Sequence, residues 1–173
     1  MNEPVNIDGI IIPDNSPVIL TIIGIHVAVA LICVLAAFLA MFSNKRNKYH
    51  PEFGTVYYWC LLVVFITSIV VSIIRWPFDN QLLIVGTFSI GFALAGRMAQ
   101  RNKWKSRMRW HLMCMSMSFI LILTAFYVDN GKNIPLWKLL PSLYYWLIPG
   151  LIGIPIMVFV LRHHPLTRYK NKT

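Results

Sequence analysis

The histidines are the residues of this chain whose type and placement best suit chemistry. His50 and His111 each open an apolar segment, and His163 and His164 close the last one. Imidazole can bind a metal ion, ligate haem iron or relay protons, because it titrates near neutral pH. If the apolar segments are membrane helices, all four rings lie at one membrane interface. The pattern therefore predicts a haem- or metal-binding site there, with His50, His111 and His163 as cofactor-binding residues.

The residues that follow His111 offer a softer set of ligands. On a helix, one stripe at positions i, i+3, i+4 and i+7 holds His111, Cys114, Met115 and Ser118. Nitrogen, thiolate and thioether together suit Cu(I), so the metal hypothesis names His50, His111, Cys114 and Met115 as ligands. The alternative is packing, since histidine is favoured at helix ends and methionine stripes usually fill a core. The chain contains no HxxxH, CxxC, HExxH or CxxCH motif that would decide between the two.

His26 differs from the other histidines because it lies inside an apolar segment, roughly 12 Å from its start on the rise of a helix. An ionisable side chain inside a membrane is costly and normally faces the helix bundle. Two interpretations stay open. His26 is either a functional group, as in a small proton-coupled transporter, or a neutral imidazole that holds helices together. Polar partners at comparable depth are Thr67, Ser68, Tyr127, Tyr144 and Tyr145.

A second set of polar residues flanks the opposite ends of the segments, namely Arg75, Asp79, Asp129 and Asn130. They are candidates for an ion-paired ring that closes a helix bundle, or for a polar entry to it. Exposed ion pairs contribute little stability, so simple surface pairing is the alternative. The chain offers no nucleophile–base pair and no carboxylate inside an apolar segment. This argues against an enzyme that acts on lipid or peptide.

Five apolar segments must position these residues. Asp, Glu, Lys and Arg are absent from residues 18–42, 53–74, 81–96, 111–128 and 139–161. A helix needs ~20 apolar residues to cross a membrane, and the third segment is the one that is clearly shorter. It still crosses if Arg97 extends to the headgroups. In the fifth segment, Pro149 and Pro155 predict a kink or an unwound turn.

The basic residues lie in alternate gaps between these segments. Thirteen of the 16 Lys and Arg residues follow the first, third or fifth segment. Because basic residues stay cytoplasmic, the N-terminus should lie outside and the C-terminus inside. The sequence thus predicts an all-α bundle of five transmembrane helices in residues 17–164, with an extracytoplasmic arm at 1–16 and a basic cytoplasmic tail at 165–173. His50 and His111 would each start an outward-going helix, which suggests duplication of a two-helix unit.

Composition narrows the class of protein further. The chain has 173 residues, is 57% hydrophobic and carries a net charge of +10. Five spans and their links would account for nearly all of it. The excess positive charge predicts contact with anionic lipid headgroups rather than with nucleic acid. Cys33, Cys60 and Cys114 lie within apolar segments and form no CxxC pair, which is typical of buried thiols and not of disulfides.

Two parts of the chain carry a family resemblance, the start of the second apolar segment and most of the fourth and fifth. The stretches are residues 50–58, 111–119, 123–131, 134–137, 140–141, 146–149 and 152–155. They are similar to a group of small bacterial multi-pass membrane proteins and, more loosely, to the uncharacterised DUF2306 family. In that family a histidine precedes Gly-x-x-Tyr at the start of a span, and here His50, Gly54 and Tyr57 form the pattern. The family's second signature places a histidine before a Trp-Met pair, whereas here Trp110 precedes His111.

The resemblance covers residues 26–164 and implies a multi-pass protein of the bacterial cytoplasmic membrane in which His50, His111 and Asp129 matter. It implies no reaction. Cys114 stands where the group favours glycine, which weakens the soft-metal hypothesis. Three functions remain open: a non-catalytic membrane subunit or assembly protein, which the residues favour; a haem- or metal-binding membrane protein; and a small proton-coupled transporter that uses His26. A homodimer or a larger membrane complex is the expected assembly.

Overall fold

The computed structural model describes residues 5–7, 10–12, 17–44, 48–74, 80–131, 134–135 and 137–163. They form five α-helices, namely α1 (Pro17–Phe42), α2 (Tyr49–Ile74), α3 (Asn80–Arg101), α4 (Arg107–Asn130) and α5 (Leu143–His163). Two short strands, β1 (Val5–Ile7) and β2 (Ile10–Ile12), precede them, and a 3-10 turn (Trp137–Leu139) precedes α5. All five helices are long and apolar enough to cross a membrane. The prediction of five helices with the length and apolarity of membrane spans is confirmed.

The helices extend beyond the charge-free segments that predict them. The clearest case is α3, whose 22 residues include Arg97 and Arg101 near its end. An arginine side chain can reach the headgroups while its backbone stays helical, so the charge does not end the helix. In α5, the helix is continuous through Pro149 and Pro155, without the unwound turn that these prolines predict.

A small β-hairpin precedes α1, where the sequence predicts only an arm. Its strands pair antiparallel, with Val5 opposite Ile12 and Ile7 opposite Ile10. The two residues between the strands are Asp8-Gly9, a dipeptide that favours two-residue hairpin turns. Strands of three residues are too short to show the alternation that normally reveals a strand. The two strands were therefore not predicted, although a turn signal was present.

The chain divides into two compact units, residues 1–84 and residues 85–173. In the first unit, α1 packs along α2. The buried face of α1 consists mainly of small residues, namely Cys33, Ala36, Ala37 and Ala40. The buried face of α2 combines larger residues with two serines, namely Tyr57, Leu61, Val64, Val71, Ser68 and Ser72. Small residues let two helix backbones approach closely, and packing then stabilises a pair that gains no hydrophobic free energy in lipid.

In the second unit, α4 contacts both α3 and α5 at glycines. Gly96 of α3 lies against α4, where an added Cβ would come within 3.1 Å of Cys114 Cβ and Met115 Sδ. Gly153 of α5 also lies against α4, where an added Cβ would come within 2.5 Å of Ile120 Cγ1. A side chain at Gly153 would force the helices or Ile120 to shift, and one at Gly96 would make a tight contact. These two crossings determine which side chains of α4 meet its neighbours.

Candidate functional site

His50 lies in the first turn of α2 and contacts the end of α1. Its Nδ1 lies 2.8 Å from the carbonyl oxygen of Ala40. Because a carbonyl oxygen only accepts hydrogen bonds, Nδ1 carries the hydrogen. Ala40 is one of the last four residues of α1, whose carbonyls have no N–H partner within the helix. The hydroxyl of Ser43 donates to the same oxygen, at 3.0 Å. His50 therefore caps α1 and ties it to the start of α2.

His111 makes an equivalent contact in the second unit. Its Nδ1 lies 3.0 Å from the carbonyl oxygen of Gly96 in α3, so here too Nδ1 donates. Cys114 and Met115 pack against the same glycine, since an added Cβ there would meet both at 3.1 Å. The structure thus brings His111, Cys114 and Met115 together, around the glycine at which α3 and α4 cross. Their use as metal ligands stays a prediction.

The two histidine contacts share one chemistry, repeated in the α1–α2 hairpin and the α3–α4 hairpin. In each, a histidine near the start of the second helix donates Nδ1–H to a carbonyl of a small residue near the end of the first. In the neutral ring this leaves the lone pair on Nε2. A backbone carbonyl that orients a histidine in this way is also the usual support of a metal-ligating Nε2. The geometry suits hairpin closure and is compatible with ligation.

His26 contacts the neighbouring helix within the first unit. Its Nδ1 lies 2.8 Å from Thr67 Oγ1 of α2, one of the polar partners that the sequence offers. The hydroxyl of Thr67 in turn donates to a carbonyl of its own helix, either Val64 at 2.9 Å or Val63 at 3.0 Å. Because the hydroxyl has a single hydrogen, it accepts from Nδ1–H of His26. His26 therefore joins α1 to α2 through a hydrogen bond between side chains.

His163 is exposed at the end of α5, and its described contacts are with its own helix. Its Nδ1 donates to the carbonyl oxygen of Phe159, at 2.9 Å. The imidazole also stacks on the ring of Phe159, with centroids 4.3 Å apart. His164 lies outside the described residues. Among the residues that the structure describes, no group of three or more His, Cys, Asp or Glu side chains is placed to hold a metal ion.

Of the four polar residues predicted to form a ring, the structure describes only two. Asp129 is exposed near the end of α4. Asn130 donates from Nδ2 to the carbonyl oxygen of Phe126, at 3.1 Å, which is a bond within its own helix. Arg75 and Asp79 lie outside the described residues. The ring of ion pairs stays a prediction.

Two buried polar contacts were not predicted. Ser89 of α3 donates to the carbonyl oxygen of Ser118 in α4, at 2.9 Å, and the two hydroxyl oxygens lie 3.2 Å apart. In the first unit, Cys33 Sγ lies 3.5 Å from the carbonyl oxygen of Tyr57. Ser118 belongs to the stripe that begins at His111, so the sequence had already placed it on the same face of α4 as the predicted metal ligands. A polar side chain inside an apolar segment was the signal for Ser89, because such groups seek partners across helices.

Comparison with known proteins adds nothing to this geometry. No family model matches the chain, and no curated protein or solved structure matches it either. In the two units, His26, Cys33, His50, Ser89 and His111 each bond to a neighbouring helix. These hydrogen bonds stabilise the pairing of neighbouring helices.

Proposed function

We propose that this protein is a non-catalytic subunit or assembly protein of a membrane complex. The supporting observation is the use of polar side chains inside the spans. His26, His50, Ser89 and His111 each bond to the neighbouring helix of their own hairpin. Groups that carry transport or catalysis in a membrane normally face a cavity or a substrate pathway. The contacts of these four side chains instead hold helices together.

These contacts are individually weak, but together they define how the helices pair. A hydrogen bond between membrane helices contributes ~0.6 kcal/mol on average and at most about 1.7 kcal/mol. A polar group that loses its partner in an apolar environment is costly, so each bond also disfavours alternative helix pairings. The result is a bundle with one preferred pairing of helices. A structural subunit needs that property, because its partners bind a surface that must keep its shape.

The proposal includes a location and an orientation. The protein would lie in the bacterial cytoplasmic membrane, with its N-terminus outside and its C-terminus in the cytoplasm. The orientation is supported by the 13 of 16 basic residues that follow the first, third or fifth apolar segment. The membrane is supported by the resemblance to small bacterial membrane proteins and, more loosely, to the DUF2306 family.

The test is to isolate the protein from its native membrane. A tagged chain extracted in mild detergent should elute as a complex with a second polypeptide at fixed stoichiometry. A variant that combines Ser89→Ala with His111→Ala should still insert, but should lose that complex. Gly91→Ala is the matched control, because an added Cβ at Gly91 meets nothing within 4 Å. A protein that elutes alone, with or without the substitutions, would contradict the proposal.

Haem or metal binding is the second candidate, favoured by a specific observation. Both His50 and His111 are oriented by a backbone carbonyl through Nδ1–H, as metal-ligating histidines usually are. The purified protein would then carry stoichiometric metal, or absorb near the Soret band. His50→Ala, His111→Ala or the two combined should lower that signal while leaving the protein in the membrane. A colourless, metal-free protein from cells supplied with haem and trace metals would rule this candidate out.

A further inference from the structure

The turn between α3 and α4 concentrates positive charge. Five basic side chains are exposed on this turn and its flanking helix ends: Arg101, Lys103, Lys105, Arg107 and Arg109. In residues 85–173, Asp129 is the sole acidic residue, and it lies near the other end of α4. That end is about 33 Å away on the rise of a helix. The positive charge of the turn is therefore not balanced within its own unit.

If α3 and α4 span the membrane, the turn between them lies at the depth of the lipid headgroups. Only residues 102–106 separate α3 from α4, and both helices are long and apolar enough to span a membrane. Trp104 and Trp110 pack edge to face, with centroids 6.2 Å apart. Their exposed fractions are 39% and 45%. Half-exposed tryptophan is enriched where headgroups meet the acyl chains, so the pair marks that depth.

The turn also has a defined backbone. Trp104 N–H donates to the carbonyl of Ala99 at 3.1 Å, and Arg107 N–H donates to the carbonyl of Trp104 at 3.0 Å. Lys103 and Ser106 adopt left-handed conformations, with φ of 50° and 61°. Across the turn, Gln100 Nε2 donates to Met108 Sδ at 2.9 Å. The basic side chains are thus carried on an ordered scaffold rather than on a loose linker.

We propose that the α3–α4 turn binds the phosphate groups of anionic membrane lipids, in preference to zwitterionic ones. Charge complementarity identifies the partner, because phosphates are the negative groups at headgroup depth. The tryptophan pair would hold the turn at that depth while the lysines and arginines contact the phosphates. This inference goes beyond the proposed packing role, since it assigns a ligand to a surface outside the helix contacts. It requires only that the helices span a membrane.

The test uses the full chain in vesicles of phosphatidylcholine mixed with brominated phosphatidylglycerol. Replacing Trp59, Trp76, Trp137 and Trp146 with Phe leaves Trp104 and Trp110 as reporters. Bromine quenches tryptophan fluorescence when the brominated lipid is adjacent. The dependence of this quenching on the fraction of phosphatidylglycerol in the vesicle therefore measures the preference of the turn for that lipid. Each basic residue near an anionic surface contributes about a fivefold preference. Lys103→Gln with Lys105→Gln should therefore lower the preference by about 5- to 25-fold, depending on additivity.

Matched variants separate a local site from a general charge effect. Lys103→Arg with Lys105→Arg keeps both charges and should keep the preference. Lys48→Gln with Lys138→Gln removes the same charge elsewhere on exposed positions and should also keep it. An equal loss in this control would overturn the inference, as would no loss in the Gln pair. Tighter binding of a single-stranded RNA than of phosphatidylglycerol by the solubilised protein would also overturn it.

Discussion

A substitution at the crossing of α4 and α5 offers the sharpest test of the described packing. In Gly153→Ala, the new Cβ would lie 2.5 Å from Ile120 Cγ1 and 2.7 Å from Ile120 Cδ1, both far inside van der Waals contact. Ile120 is β-branched and buried, so its side chain has few alternative rotamers. The helices must therefore separate or the isoleucine must leave its preferred rotamer. Overpacking of this kind costs ~1–3 kcal/mol.

The same substitution three residues earlier is a close control. At Gly150 an added Cβ meets only Ile154 Cδ1, at the ordinary contact distance of 3.9 Å. Both variants gain the same helix propensity, up to ~1 kcal/mol for glycine to alanine. That gain cancels in the comparison. We therefore expect Gly153→Ala to be less stable than Gly150→Ala by about 1–3 kcal/mol in free energy of unfolding.

The assay is unfolding of the detergent-solubilised protein by increasing SDS, followed by circular dichroism. A third variant locates the cause, because Ile120→Ala removes both atoms that the new Cβ would meet. In a chain that already carries Ile120→Ala, Gly153→Ala should cost about 1 kcal/mol less than it does in the wild-type chain, because residues in contact typically couple by ~0.5–3 kcal/mol. If the two glycine variants agree within about 0.5 kcal/mol, the described approach of α5 to α4 is wrong.

Three further predictions concern the polar contacts and the topology. Ser89→Ala and Ser118→Ala should couple by ~0.6 kcal/mol in a double-mutant cycle of unfolding free energies; no coupling would mean that the two hydroxyls do not bond, since Ser118→Ala keeps the backbone carbonyl that Ser89 also contacts. His26→Ala and Thr67→Val should couple by up to about 1.7 kcal/mol in the same assay, while additive effects would place His26 away from Thr67. A cysteine at Lys48, in a chain with its native cysteines replaced, should be labelled by an impermeant maleimide only after the cytoplasmic side is opened; labelling from outside would reverse the proposed orientation.

The helices could be predicted because membrane spans are defined by length and apolarity alone. The 16-residue charge-free core of the third segment was too short by that measure, yet α3 has 22 residues. The predicted segment ends before Arg97 because it was defined by the absence of charged side chains. The backbone stays helical beyond that residue, to Arg101. The strands β1 and β2 were not predicted, because three residues are too few to show the alternation of apolar and polar residues that indicates a strand.

The site was only partly predictable. Helical periodicity shows which residues share one face of a helix, but it does not show which residues of another helix they contact. The stripe through His111, Cys114 and Met115 could be read from spacing, and the structure brings these residues together at Gly96. The acceptor of the His111 hydrogen bond is a backbone carbonyl, and every residue has one. Sequence therefore contains no signal that singles out Gly96 or, for His50, Ala40. Those partners depend on where two backbones cross.

The histidine contacts join residues that are close in sequence, and this affects how the protein folds during synthesis. His50 bonds to a residue 10 positions earlier, and His111 to one 15 positions earlier. Closing loops of this size loses little chain entropy, and contacts that are local in sequence form early. Each hairpin can therefore close as soon as its second helix begins to enter the membrane, while later segments are still being translated. The polar groups would then find partners before an isolated helix had to expose them to lipid for long.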